Sequence, residues 1–179
     1  MGGTASVPSD ESNGRKNSEK IVREMEPRAI EMTQNTYDDP AFFEAYSQLS
    51  RSVEGLDGAA EWPALRALLP ALRGRKVVDL GCGYGWFCRW AVEQGAQTVL
   101  GLDVSEKMLA RAMNSTADST ITYARADLEK LDLPEAVFDL AYSSLAFHYI
   151  TDLAGLFRTI HRYRARARAR ARNSSLSVN

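Results

Sequence analysis

The chain is poor in the residues that build disulfide frameworks and metal sites. Of its 179 residues, two are cysteine and two are histidine. Cys82 and Cys88 have no histidine cluster near them in sequence, which argues against a zinc site and favours a reducing intracellular compartment. No apolar run approaches the ~20 residues of a membrane-spanning helix, and the N-terminus shows no secretory apolar core. We therefore expect a cytoplasmic protein without a metal.

Acidic residues are missing from the segment 162–179, which carries six arginines that alternate mostly with alanine. The remainder holds 16 basic and 23 acidic residues, a net charge of −7, although the whole chain stands at −1. A two-residue period gives no helical stripe and like charges repel, so 162–179 is predicted to be a disordered, solvated tail. Such a tail could hold nucleic acid electrostatically, but the acidic body argues against it, and we expect no nucleic-acid partner.

Large apolar side chains are also scarce near the N-terminus. Residues 1–20 are rich in serine, glycine, asparagine and charge, which predicts disorder, and 21–30 reads as a charged, helical lead-in. We treat 1–34 as an N-terminal extension. Gly2 with Ser6 fits the N-myristoylation pattern, and membrane anchoring at Gly2 is the alternative to a free cytoplasmic protein.

What the chain does contain is a glycine-rich turn after an apolar run. The segment 79–85 reads D-L-G-C-G-Y-G, and an apolar, helix-compatible segment follows. Strand, glycine loop and helix in this order form the first unit of a nucleotide-binding α/β sheet. The spacing differs from the G-x-G-x-x-G of dinucleotide sites, and the acid at Asp79 suits a ligand that carries an ammonium group. A tight turn with no ligand is the alternative.

Strands and helices alternate through the rest of the chain. Strands are predicted over 98–103, 119–126 and 137–144, and helices over 61–72, 86–94, 105–113 and 145–162, with another helix beginning at Asp39-Pro40. Three strands end in polar residues, which mark the ligand-binding edge of open α/β sheets. Asp103 could accept ribose hydroxyls or cap a helix, a role that Ser105 serves equally well. Asp127 with Leu128 could hold an adenine or form an ordinary turn.

Two further candidates lie outside these strand ends. An aromatic stripe at helical spacing includes Tyr46, and it predicts either a helix covering the core or a lid that brings Tyr46 or Arg51 against a cofactor or substrate. His148 stands at the entry of the last predicted helix. It is either a general base or a hydrogen-bonding group at the helix start.

Four segments, taken in order, resemble class I S-adenosylmethionine (SAM)-dependent methyltransferases of the small-molecule type, similar to those related to ubiquinone and menaquinone biosynthesis. They are D-L-G-C-G-Y-G at 79–85, G-L-D-V-S at 101–105, A-D-L at 126–128 and F-D-L-A-Y-S-S-L-A-F-H-Y at 138–149. The resemblance covers about 35–161. It implies an α/β fold, a Rossmann-like, mostly parallel sheet with flanking helices, and methyl transfer from SAM to a small-molecule acceptor.

The resemblance also implies the residues that bind the cofactor. Gly81 and Gly83 would line the methionine part of SAM, and Asp79 would face its amino group. Asp103 would bind the ribose, and Asp127 and Leu128 the adenine. The other residues assigned to the cofactor site are Cys82, Val104, Met108, Ser143 and Ser144. The two serines would flank the methionine side of SAM and the path of its methyl group.

The likeness stops after His161. The family sheet, of order 3-2-1-4-5-7-6, continues into strands 5–7, whereas this sequence changes into Arg-Ala repeats. We expect an incomplete domain at 35–161 that lacks strands 5–7, with weak SAM binding and little or no methyl transfer. A non-catalytic SAM-binding or interaction module is the alternative. The fourth strand would become an edge, exposing Val137, Leu140 and Tyr142 and favouring self-association.

Overall fold

A parallel sheet of four strands forms the centre of the fold. The computed structural model describes residues 36–133, 137–147 and 150–162. The predictions made for 1–34, for 163–179 and for His148 lie outside the described residues. The strands are β1 (Lys76–Leu80), β2 (Thr98–Asp103), β3 (Ile121–Arg125) and β4 (Leu140–Tyr142), in the order β3-β2-β1-β4.

Helices connect and cover these strands. They are α1 (Pro40–Ser47), α2 (Ser50–Val53), α3 (Trp62–Leu68), α4 (Trp86–Glu93), α5 (Glu106–Asn114) and α6 over 153–162, with short 3₁₀ turns at Thr36–Asp38 and Leu128–Lys130. The prediction of a Rossmann-like, mostly parallel sheet with flanking helices is confirmed. None of the helices in the described ranges is both long enough and apolar enough to cross a membrane.

The two faces of the sheet bury separate apolar clusters, because successive strand residues point to opposite faces. Val77 and Val99 pack on one face with Phe87 of α4. Val78 belongs to the other cluster, which includes Leu156 of α6. The strands that follow β1 are added on one side of it as β2 and β3, and then on its other side as β4. Open α/β sheets bind ligands at such a switch in strand order, at the carboxyl ends of the strands.

Side-chain caps set the starts of two helices at the predicted positions. The carboxylate of Asp39 accepts a hydrogen bond from the backbone N–H of Phe42 (2.9 Å), and Pro40 follows at the first helical position. The Ser105 hydroxyl oxygen accepts one from the backbone N–H of Met108 (3.1 Å). Ser105 therefore caps α5 and leaves the carboxylate of Asp103 available for other contacts.

Some predicted boundaries were too wide. The helix predicted over 61–72 ends at Leu68, because the residue before Pro70 is restricted to extended backbone. The strand predicted over 137–144 is confined to Leu140–Tyr142. The last helix begins at 153 rather than 145, where the Asp152 carboxylate accepts a hydrogen bond from the backbone N–H of Gly155 (2.8 Å).

The expected exposure of apolar side chains on β4 was wrong. Leu140 and Tyr142 are 9% and 8% exposed, and Val137 is half-buried. The ring of Tyr142 stacks on Phe87, with centroids 3.6 Å apart. Strand side chains point toward the sheet faces, which the helices cover. An edge position therefore exposes backbone hydrogen-bonding groups more than side chains.

Candidate cofactor site

The loop between β1 and α4 turns on three glycines with positive φ. Gly81, Gly83 and Gly85 have φ of 79°, 52° and 71°, a region that other residues rarely adopt. Within the described residues, a Cβ on Gly83 would meet no atom within 4 Å, whereas a Cβ on Gly85 would lie 2.2 Å from the Tyr123 hydroxyl oxygen. The loop is therefore open at residue 83 and closely packed against β3 at residue 85.

Asp103, the last residue of β2, holds this loop in place. Its carboxylate accepts hydrogen bonds from the backbone N–H groups of Gly83 (2.8 Å) and Ser105 (2.9 Å). The side chain is largely buried. Burial raises the pKa of Asp103 above its usual value, and the backbone N–H donors oppose that rise. Parallel pairing of Leu80 with Leu102 brings the loop and this carboxylate to one sheet edge.

A cavity opens at this edge, and we call it the strand-end cavity. Its empty space measures about 800 Å³, including the part open to solvent. It is lined by Tyr37, Tyr46, Arg51, Gly81, Gly83, Asp103, Val104, Met108, Asp127, Leu128, Ser144, Leu145, Ala146 and Ile150. Two carboxylates therefore share one cavity with several apolar side chains.

The turn after β3 supplies the second carboxylate of the strand-end cavity. Asp127 is buried and accepts a hydrogen bond from the backbone N–H of Glu129 (3.0 Å). Leu128 and Met108 are also buried and, with Val104, give the cavity an apolar wall. An apolar wall with an acceptor beside it can hold a planar base and bind its exocyclic amino group.

A second cavity, which we call the lid cavity, adjoins the first at the glycine loop. It measures about 650 Å³ including its open part. Both cavities share the lining residues Tyr46, Arg51, Gly81, Gly83 and Ser144. The other residues of the lid cavity are Ser52, Gly55, Leu56, Ala59, Glu61, Trp62, Leu65, Asp79, Cys82, Tyr84, Trp86, Phe87 and Tyr142. An elongated ligand could thus span both cavities across Gly81 and Gly83.

Asp79 lines the lid cavity but is almost completely buried. It is 2% exposed, and its carboxylate accepts a hydrogen bond from the Cys88 thiol (3.3 Å). Burial raises the pKa of Asp79 to about 7, the thiol opposes that rise, and the negative charge of Asp103 adds to it. Near neutral pH this carboxyl group is therefore only partly ionised in the ligand-free protein.

The two cysteines are buried thiols rather than nucleophiles. Cys82 lines the lid cavity. Burial is the main cause that raises the pKa of Cys82 to about 11 and the pKa of Cys88 well above its usual value, so both stay protonated at neutral pH. In the part of the chain that the structure describes, no group of three or more His, Cys, Asp or Glu side chains could hold a metal ion.

Helices α1 and α2 bring Tyr46 and Arg51 to the boundary between the cavities, since both residues line each cavity. The ring of Tyr46 lies edge-on to that of Tyr84, with centroids 5.9 Å apart. Arg51 forms an ion pair with Glu61, at 2.8 and 3.0 Å from the two carboxylate oxygens. A backbone hydrogen bond is the main cause that lowers the pKa of Glu61. Burial opposes it, and the side chains of Arg51 and Ser144 add to the lowering.

The two serines after β4 occupy different positions. The Ser143 hydroxyl donates a hydrogen bond to the carbonyl oxygen of Leu80 (2.7 Å), and Ser143 lines neither cavity. This bond ties the end of β4 to the start of the glycine loop. Ser144 lines both cavities. Every other candidate side chain lies at the two cavities, except His148, which lies outside the described residues.

Two contacts that shape the site were not predicted from the sequence. The carboxylate of Asp38 accepts hydrogen bonds from the Ser105 hydroxyl (2.6 Å) and from the backbone N–H of Lys107 (3.2 Å). This contact anchors the segment before α1 to the start of α5 and brings Tyr37 to the strand-end cavity. The second contact is the ion pair between Glu61 and Arg51. The position of Glu61 before Trp62-Pro63 predicted only that a helix begins there.

Comparison with known proteins agrees with this geometry. Residues 78–166 match a family model described as a methyltransferase domain. An uncharacterised protein of Haemophilus influenzae is 40% identical over 133 residues, 71% of this chain and 52% of that protein. A malonyl-[acyl-carrier protein] O-methyltransferase of Pseudescherichia vulneris is 36% identical over 120 residues, 67% of this chain and 43% of that enzyme.

A solved structure supports the same relationship. The S-adenosylmethionine-dependent methyltransferase from Mesorhizobium loti is 69% identical in the aligned region, with a TM-score of 0.60, covering 61% of this chain and 50% of that one. The chain spans about half the length of these relatives. SAM is the cofactor expected from these relatives. From the sheet, the glycine loop and these similarities together, the chain belongs to the class I SAM-dependent methyltransferases.

Proposed function

We propose that this chain binds SAM across the two adjoining cavities and transfers its methyl group to a small-molecule acceptor. The observation that carries this proposal is the arrangement around the glycine loop. Gly83 has open space where a Cβ would lie, and its backbone N–H donates a hydrogen bond to the buried carboxylate of Asp103. Both residues line a cavity that Asp127 also lines. A cofactor with a nucleoside at one end and an amino acid at the other matches this shape and polarity.

The nucleoside of SAM would occupy the strand-end cavity. A carboxylate offers about four acceptor positions, and backbone N–H groups use two of those on Asp103. The remainder would accept the ribose hydroxyls. Asp127 would accept a hydrogen bond from the adenine amino group, and the adenine ring would pack against the apolar side chains of Val104, Met108 and Leu128.

The methionine part would cross Gly81 and Gly83 into the lid cavity. Close approach needs backbone without a Cβ, and Gly83 has open space at that position. Asp79 and Cys82 line the lid cavity beneath this path. Ser144, which lines both cavities, would flank the methyl group, and Ser143 would keep the end of β4 in register through its bond to Leu80.

The chemistry makes modest demands on the protein. When bound, SAM supplies a methyl group already activated by its sulfonium charge. The protein then aligns the acceptor with the methyl carbon and excludes water. Tyr46 and Arg51 are positioned to cover the junction of the two cavities. His148 is the candidate for removing a proton from an acceptor that needs it.

The acceptor class is tested by a screen with methyl-labelled SAM over quinones, phenols and small carboxylic acids. Oxygen acceptors deserve priority because a relative 36% identical is named as an O-methyltransferase. Label in one of these classes, with an equal amount of S-adenosylhomocysteine, would identify the acceptor. Binding of SAM without label transfer to any acceptor would favour the second candidate, a non-catalytic SAM-binding module.

We also propose that the chain self-associates through β4. Among the described residues this strand pairs with β1 alone, and a free edge can accept a strand from a second copy. Light scattering across a concentration series tests this proposal. We expect a dimer that dissociates on dilution, and a monomer at every concentration would contradict self-association.

A further inference from the structure

The segment 36–53 supplies Tyr37, Tyr46 and Arg51 to the walls of the cavities, and we call this segment the strap. Its first turn and α1 consist entirely of half-buried and exposed residues. Segments that bury little surface open at a lower free energy than the core of a protein. We therefore expect the strap to open while the sheet stays folded.

Asp38 joins the strap to the start of α5. One oxygen of its carboxylate accepts hydrogen bonds from the Ser105 hydroxyl (2.6 Å) and from the backbone N–H of Lys107 (3.2 Å). The other oxygen accepts one from the backbone N–H of Glu106 (3.4 Å). The first N–H groups of a helix have no partner within the helix and carry a partial positive charge. The carboxylate therefore fits this position well, and its bonds hold the strap closed.

Aromatic contacts hold α1 against the glycine loop. The rings of Phe43 and Tyr46 both lie edge-on to the ring of Tyr84, each with centroids 5.9 Å apart. The ammonium group of Lys107 lies 5.6 Å from the centre of the Phe43 ring. Contacts of this kind are individually weaker than hydrogen bonds to a charged group. The bonds to Asp38 are therefore the stronger part of the closure.

Ser105 connects this closure to the proposed ribose site. Its backbone N–H donates a hydrogen bond to Asp103 (2.9 Å), and its hydroxyl donates one to Asp38. Burial is the main cause that raises the pKa of Asp103, and the negative charge of Asp38 adds to that rise. The two carboxylates thus repel each other across one buried serine. Ligand hydroxyls that donate to Asp103 would reduce this repulsion and favour the closed strap.

We propose that the strap is a gate for the cofactor and that Asp38, bound to the start of α5, is its latch. The gate rests on the proposed function and adds to it the step by which the cofactor enters and leaves. Because Tyr37 and Tyr46 of the closed strap form part of the cavity walls, the cofactor passes while the strap is open. Asp38 lines neither cavity, so it acts on the cofactor through the strap.

A gate and a binding contact have different kinetic signatures. If the strap is mostly closed in both the free and the bound protein, a weaker latch raises the open fraction of each by the same factor. The rate constants for association and dissociation then rise together, and the Kd is unchanged. Loss of a binding contact instead raises the dissociation rate constant and the Kd.

Stopped-flow binding of S-adenosylhomocysteine separates these two cases. Tryptophan fluorescence can follow it, since Trp62 and Trp86 line the lid cavity. Asp38→Asn removes the charge of the latch and should raise both rate constants about tenfold, with the Kd within about threefold of wild type. Asp39→Asn makes the same change of charge at the next residue, which is exposed and caps α1 within the strap. This control should keep both rate constants within about twofold of wild type. Phe43→Leu, at a residue that lines neither cavity, should raise both by a smaller factor than Asp38→Asn.

A rise of the dissociation rate constant alone in Asp38→Asn, with an equal rise of the Kd, would overturn the gate. Rate constants equal to those of Asp39→Asn would overturn it too. If folded wild type does not bind S-adenosylhomocysteine, the proposed function fails, and hydrogen exchange tests the latch separately. The amides of 36–53 should exchange faster in Asp38→Asn than in Asp39→Asn. Equal exchange in the two variants would overturn the latch whether or not the ligand binds.

Discussion

The backbone N–H of Gly83 donates a hydrogen bond of 2.8 Å to the carboxylate of Asp103. This bond joins the glycine loop after β1 to the end of β2. The same carboxylate accepts a hydrogen bond from the backbone N–H of Ser105, so one buried side chain connects the glycine loop to the start of α5. The proposed ribose contact and the shape of the loop therefore depend on the same group.

Asp103→Asn should weaken nucleoside binding. The substitution keeps the size of the side chain but removes its charge, and an amide has one oxygen acceptor where the carboxylate has two. We expect the affinity for S-adenosylhomocysteine to fall about tenfold or more. Calorimetric titration measures it, with Asp57→Asn as an exposed control that lines neither cavity. If the Asp103→Asn variant binds S-adenosylhomocysteine with the same affinity as the control, the ribose assignment is contradicted.

Gly85→Ala should destabilise the protein more than Gly74→Ala. Both glycines have nearly the same φ, 71° and 72°, so backbone strain of about 1–2 kcal/mol is common to both variants. A Cβ at Gly74 meets nothing within 4 Å in the described part of the chain, whereas one at Gly85 would lie 2.2 Å from the Tyr123 hydroxyl. Overpacking should cost Gly85→Ala a further ~1–3 kcal/mol.

Urea unfolding of the two variants measures this difference. Adding Tyr123→Phe to Gly85→Ala removes the hydroxyl oxygen that the new methyl group meets first. Part of the lost free energy of unfolding should then return. Equal destabilisation by Gly85→Ala and Gly74→Ala would show that the loop does not pack against β3 as described.

Asp79 should make the free energy of unfolding depend on pH. The folded state keeps a proton on this carboxyl up to a pKa of about 7, whereas the reference value is 3.8. The folded state thus binds more protons between these values, and stability falls as pH rises through them. The slope from this one group reaches at most ~1.4 kcal/mol per pH unit, and the loss is complete above the folded pKa.

Asp79→Asn removes this titration while keeping an acceptor for the Cys88 thiol. The free energy of unfolding of the variant, relative to wild type, should therefore increase as pH rises from about 4 to about 7 and then level off. Urea unfolding at several pH values measures the difference. A constant difference across the range would mean that Asp79 has an ordinary pKa in the folded protein.

Local sequence signals were enough to predict the sheet and much of the site. Caps such as Asp39 and Ser105 act within a few residues, so their patterns are visible in sequence. The meeting of the glycine loop with Asp103 followed from strand order, because the carboxyl ends of parallel strands share one edge. The residues that gather at the two cavities were largely predictable for this reason.

Contacts between distant segments could not be predicted in the same way. The bond between Asp38 and Ser105 joins positions 67 apart, and the pair of Arg51 and Glu61 depends on how the loop between α2 and α3 folds back. Neither has a local pattern. The burial of Tyr142 was missed for a related reason, since it depends on how α4 packs over the sheet.

The most direct test of the central claim is calorimetric titration of the chain with S-adenosylhomocysteine, with NAD titrated in parallel. The arrangement of the glycine loop, Asp103 and Asp127 predicts saturable binding of one S-adenosylhomocysteine per chain and no binding of NAD. Absence of S-adenosylhomocysteine binding by folded protein, or its displacement by NAD, would contradict the assignment of the two cavities to SAM.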